Sequence, residues 1–139
     1  MAEIPAEAVK LIESDQLAHL VTLNPDGSPQ LTAVWVGLEK GEIVSGHMLN
    51  RRKLDNVRRD PRVSLSIESP THNEIGLREY LVVRGTARIT EGGAADLLQR
   101  LAHVYMSPDA VFPPEAVRER PGYILRITPE RLSGVGPWA

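Results

Sequence analysis

A chain of 139 residues with a formal net charge of -2 is long enough for one ordinary domain and too short for two. Its slight acidity gives it no general attraction to nucleic acid or to an anionic membrane. The lack of cysteine excludes disulfides, thiol catalysis and thiolate metal sites together.

Taken in order, Glu3 to Glu13 is expected to form a short amphipathic helix, with Val9, Leu11 and Ile12 inward and Pro5 near its start. Strand-type runs follow. LAHLVTL (17–23) and QLTAVWV (30–36) flank NPDGSP, a turn in which Pro25 fixes φ and Gly27 permits a positive one. EIVSG (42–46) extends the meander after EKG. A helix from Arg51 to Arg59 is predicted next, with Asn50 as N-cap and Pro61 forbidding helix at Asp60. RVSLSIE (62–68) alternates, with Val63, Leu65 and Ile67 in and Ser64, Ser66 and Glu68 out. YLVVRGTARIT (80–90) is a long strand whose Gly85 marks a bulge or bend. ADLLQRLAHVYM (95–106) has helical period, with Leu97, Leu101 and Val104 on one side, and YILRITPERL (123–132) is the last strand. Six strands with short helices between them and no β–α–β rhythm predict one α+β domain over 1–139, a six-stranded antiparallel barrel. No apolar run approaches membrane-spanning length, and MAEIPAEAVKLIE lacks a basic-then-apolar signal pattern. A soluble, cytoplasmic protein with no membrane partner is the expectation.

One stretch stands out chemically. Arg51, Arg52, Lys53, Arg58, Arg59 and Arg62 crowd into a few positions, and the first three fall in the first turn of the predicted helix. Unpaired N–H groups already carry partial positive charge there, so each cation costs roughly 0.3–1 kcal/mol at low salt. An anion docked at that point removes the cost. The competing readings are a solvated face with Arg51 paired to Asp55, or a nucleic-acid contact. Nucleic acid fits poorly with an acidic chain that has 4% aromatic residues and none interleaved in this run. A discrete phosphate fits better.

R-x-K-x-x-N (Arg51, Lys53, Asn56) followed by RRDPRVSL resembles the phosphate-binding segment of the pyridoxamine 5′-phosphate oxidase-like split β-barrel proteins. LVTLNPDGSPQLTAVWV, YLVVRGTARIT and YILRITPERLSGVGPW resemble further segments of that family in the same order, so the resemblance spans nearly the whole chain. The length, Trp35 in TAVWV and RRDPRV are most similar to the deazaflavin-dependent branch, which uses coenzyme F420. True oxidases of the family end in an Arg-x-His pair that grips substrate. No histidine follows His103 here, which argues against pyridoxamine phosphate as substrate.

The resemblance implies an FMN-binding-type split barrel and a homodimer with two cofactor sites at its interface. It carries over Arg51 and Lys53 as phosphate ligands, Asn56 as support, and Ser45, Gly46 and His47 as the loop near phosphate or ring. Thr32, Ala33, Val34 and Trp35 would lie beside the ring, Trp35 having a core or interface role as its alternative. Arg120 would reach the partner's cofactor or be a plain surface arginine. Arg58, Arg59 and Arg62 would supply further cations for the acidic tail of F420. The implied activity is hydride transfer from the reduced cofactor to an activated double bond of a small organic substrate. The alternatives are an FMN-binding flavoprotein of the oxidase type and a non-catalytic cofactor carrier or sensor. His47, with its ordinary pKa near neutrality, is the one candidate proton donor. His19 and His103 have no second ligand at metal spacing and read as structural, so no metal is expected. No Ser/His/Asp order, Gly-rich nucleotide loop or paired-carboxylate motif occurs.

Overall fold

Alternating apolar and polar residues carry the backbone into strands, and the strands join in one antiparallel sheet. A computed structural model describes residues 2–139. The strands are β1 (Ala18–Leu23), β2 (Pro29–Val34), β3 (Gly37–Glu39), β4 (Glu42–His47), β5 (Arg62–His72), β6 (Arg78–Glu91) and β7 (Tyr123–Val135), in the order β2-β1-β5-β6-β7-β4-β3. Three α-helices accompany them: α1 (Ala6–Ile12), α2 (Arg52–Arg59) and α3 (Ala94–Tyr105).

The sheet has seven strands where six were expected. Trp35 and Val36 leave the ladder after Val34, and Gly37–Glu39 pairs again, with β4. Hydrogen bonding leaves the sheet open, with β2 and β3 at its edges. Those edges are nonetheless consecutive in the chain. Val34 and Gly37 are three peptide steps apart, at most about 11 Å, so the sheet curls until its edges approach at that corner. This arrangement is consistent with a split barrel.

The concave side holds the main core, including Leu20, Ile43, Leu65, Ile67, Leu81, Val83, Leu125 and Ile127. β5 alternates as its sequence dictates, Val63, Leu65 and Ile67 being buried while Glu68 is exposed. The bulge expected at Gly85 is present: the β6–β7 register shifts between Arg84 and Gly85. A Cβ on Gly85 would lie 2.2 Å from the Thr128 carbonyl oxygen, so only glycine lets the strands approach.

α2 buries Leu54, Asn56 and Val57 and packs against β1 and β6. α3 lies on the outer side of β4, forming a second cluster with Val44, Leu97, Leu101 and Ile124. Its buried stripe runs through Ala94, Leu97, Leu98, Leu101 and Ala102. Val104, expected inward, is 44% exposed, because the stripe turns towards Leu98 and Ala102. Close approach of α3 depends on Gly46, where a Cβ would stand 3.0 Å from Leu98 Cγ.

Candidate functional site: a cationic groove beside an edge strand

Strand alternation places Ser45 and His47 of β4 on the same side as Ile43, and Gly46 on the side of Val44 beneath α3. Both Ser45 and His47 are buried, with Ser45 Oγ 2.8 Å from His47 Nε2. From His47 the chain turns into α2, whose N-cap is Arg51 and not Asn50. The Asn50 side chain is used elsewhere. Its Oδ1 accepts from Arg58 at 2.7 Å and its Nδ2 donates to Asp55 at 3.4 Å. Asp55 in turn pairs with Arg58 at 3.1 Å, not with Arg51.

Arg51, Arg52 and Lys53 therefore remain outside any ion pair, although Asp26 lies near enough to Arg52 to feel its charge. Among the described residues none of the three has an acidic group within ion-pair distance or a side-chain hydrogen bond. Lys53 is half-buried, and burial, then the charge of Arg51, lowers its pKa. It lines a groove of about 230 Å³ together with Ala33, Val34, Trp35, Gly46 and His47. The sequence reading named all six, and the fold brings them to one place. Leu98 and Phe112 complete the wall and were not foreseen. A lone phenylalanine in the Pro-rich stretch SPDAVFPP was the available signal for the second.

Trp35 anchors the aromatic side of the groove. Its ring stacks on Tyr105 at 5.4 Å and 7°, and meets Phe112 at 5.3 Å and 60°. Tyr105 Oη accepts from the Val36 N–H at 3.1 Å, tying the break between β2 and β3 to the end of α3. On the polar side, burial and then the nearby Lys53 charge push the His47 pKa down to about 4. The imidazole is neutral at pH 7, contrary to the expectation that it titrates near neutrality.

Other candidates stand away from the groove lining. Asn56 is 1% exposed, and its Nδ2 is shared among Thr22 Oγ1 (3.1 Å), Asn24 Oδ1 (3.1 Å) and Gln30 Oε1 (3.2 Å). It fastens α2 to the β1–β2 hairpin. Arg120 sits exposed in the turn before β7 and does not line the groove. Thr32 turns inward, and its buried Oγ1 has no hydrogen-bond partner. Arg58, Arg59 and Arg62 are not the spare cations they were expected to be. Arg58 pairs with Asp55 and lies 5.5 Å from the centre of the Tyr123 ring. Arg59 donates to the Leu23 carbonyl and to Asn56, and Arg62 grips Asp60 at 2.7 Å. Hydrogen bonds from Arg62 push the Asp60 carboxyl down to about 2.

The groove suits an anion with a flat apolar body: the unpaired Lys53 ammonium lines it, with Arg51 close by but outside the lining, and aromatic side chains run along one wall. A larger hollow of about 320 Å³ beside α1 carries Glu7, Asp15 and Glu79 against the single Lys10, a net negative lining and the wrong sign for a phosphate. Among the described residues no cluster of His, Asp and Glu could hold a metal ion, and no helix is long and apolar enough to cross a membrane.

No curated protein matches the sequence. A solved F420 reductase is 27% identical with a TM-score of 0.76, over 94% of this chain and 98% of that one. A conserved hypothetical protein from Mycobacterium tuberculosis is 29% identical with a TM-score of 0.72, over 96% of this chain and 84% of that one. An FAD-binding protein from Mesorhizobium loti shares the fold at 20% identity and a TM-score of 0.63, over 92% of this chain and 91% of that one. Residues 4–136 match the family described as pyridoxamine 5′-phosphate oxidase, and the chain belongs to that family.

Proposed function

We propose that the protein is a coenzyme F420-dependent oxidoreductase acting on an activated double bond of a small organic substrate. When bound, the reduced deazaflavin supplies the hydride. The observation that carries this reading is Lys53, a half-buried ammonium without a partner, set in a groove with Ala33–Trp35 on one side and His47 on another. Similarity to the F420 reductase supports it.

In this reading Arg51 and Lys53 hold the cofactor phosphate at the start of α2, and Arg52 remains for an acidic tail. β2 is an edge strand, so one row of its backbone N–H and C=O groups lacks ladder partners. The outward-pointing groups near the end of β2, and the backbone of Trp35 just beyond it, are available to the edge of a ring. His47 holds its hydrogen bond to Ser45 as a neutral ring, and the aromatic wall keeps water from one face of the ligand.

At about 230 Å³ the groove is smaller than the roughly 300–1,000 Å³ of pockets that enclose a ligand. A cofactor in a single chain lies partly uncovered. Beside the groove, β2 exposes Ala33 and Leu31, the latter 63% accessible, next to His19 and Val21 of β1 and Ser66 and Ser64 of β5. A second copy laid on this surface covers apolar side chains and closes the site, which makes the functional unit a homodimer.

The test is a titration with F420 and with FMN, followed by turnover of reduced F420 against a panel of activated alkenes and imines. Tighter FMN binding moves the protein to the flavin branch. Tight F420 binding without turnover on any substrate makes it a carrier.

A further inference from the structure

Between α3 and β7 the chain runs from Ser107 to Gly122 with one short 3-10 turn, Glu115–Val117. This strap carries Phe112 onto Trp35 and so supplies part of the groove wall. Its backbone hydrogen bonds between residues 108 and 120 stay within the strap or reach Ser107 at its start. Every side-chain hydrogen bond that joins those residues to another part of the described chain goes through a single group, the Gln99 amide on α3. Gln99 Nε2 donates to the Ala110 carbonyl at 2.7 Å. Gln99 Oε1 accepts from the Phe112 N–H at 3.2 Å and from the Arg118 guanidinium. The second Nε2 proton has His103 Nε2 at 3.2 Å, so the amide's hydrogen-bonding capacity is fully used.

We infer that Gln99 is a positioning residue of the groove: it latches the strap so that Phe112 stands where a ring-bearing ligand meets Trp35. The inference rests on the reading of the groove as a cofactor site. It also assigns a division of labour. The anion end depends on α2 and the ring end on α3, so a change at Gln99 acts on ring binding and spares phosphate binding. A leucine or serine at this position could not reproduce the arrangement, because donor and acceptor must both be present on one rigid amide.

The experiment compares wild type with Gln99→Ala and Gln99→Glu, using two ligands and one ligand-free reading. F420 affinity should fall about five- to tenfold in Gln99→Ala, the loss of one aromatic wall. Inorganic phosphate, which needs only the Arg51–Lys53 end, should bind within about twofold of wild type. Acrylamide should quench tryptophan emission more readily, because Trp35 loses cover while Trp138 stays buried. Gln99→Glu keeps acceptors for Phe112 N–H and Arg118 but sets a carboxylate against the Ala110 carbonyl, and should fall between the two. Unchanged F420 affinity and unchanged quenching in Gln99→Ala would overturn the inference, as would phosphate and F420 weakening in parallel. If Gln99→Ala does not fold, Gln99→Glu decides by the same pair of titrations. If wild type binds neither ligand, the cofactor reading fails instead, and the quenching comparison still decides whether Gln99 holds the strap.

Discussion

Replacing Lys53 with alanine separates a ligand-binding lysine from a structural one, because the two roles move affinity and stability in different directions. Lys53 is the second residue of α2, with no carboxylate within 4 Å and with Arg51 beside it. A charge-assisted contact to phosphate contributes about 1.5–3 kcal/mol, so losing it should weaken cofactor binding about ten- to a hundredfold. In the ligand-free protein the same substitution removes a cation from the unfavourable end of a helix dipole, worth roughly 0.3–1 kcal/mol. The buried part of the lysine stem is lost at the same time and offsets some of that gain. Melting temperature without ligand should therefore hold or rise slightly. The pH dependence has a definite sign. The folded-state pKa of Lys53 lies below its ordinary 10.5, so the handicap is full at neutral pH and disappears as pH rises towards that value. Cofactor titration and thermal melts on the same variant provide the check. Unchanged affinity, or a substantial loss of ligand-free stability, would refute the assignment.

His47, buried and held near 4, should make wild type lose stability as pH falls from about 6.5 towards 4, by up to about 1.4 kcal/mol per pH unit; acid melts of His47→Gln should lack that slope. Gly85→Ala forces a Cβ to 2.2 Å from the Thr128 carbonyl oxygen and should cost about 3 kcal/mol, read as a lowered denaturation midpoint with an unchanged slope. Sedimentation should show a dimer at micromolar concentration, and Leu31→Glu on the exposed sheet surface should shift it towards monomer.

What the sequence revealed and what it hid divide along the distance between interacting residues. Alternation in RVSLSIE gave the inward set of β5 directly, and Gly85 announced its bulge, because both signals are local. β3 escaped notice because three residues carry no period. Asn50 has the chemistry of an N-cap, but Arg58 and Asp55 claim its side chain and the helix starts at Arg52. The groove residues at 33–35, 46–47 and 53 lie on short segments whose resemblance to a known pattern could be seen in place. Leu98 and Phe112 reach the site from a helix and a strap far along the chain, Gln99 touches only the strap, and nothing local marks their destination. The depressed pKa of His47 likewise depends on three-dimensional surroundings, whereas the pairing of Arg62 with Asp60 spans only two residues and was missed although it is local.

The strand order has a consequence for the birth of the site. β4, which carries Ser45 and His47, is made early, yet it is held between β3 and β7, the strand synthesised last. Ser45 pairs across to Leu125 and His47 to Tyr123, and bringing such distant partners together carries a large loop-closure entropy. Until β7 arrives, β4 presents a bare edge open to mispairing with other chains. The end of the strand that carries His47 is thus held in the sheet by a partner from the far end of the chain, and a ligand bound in the groove favours molecules in which that pairing is made.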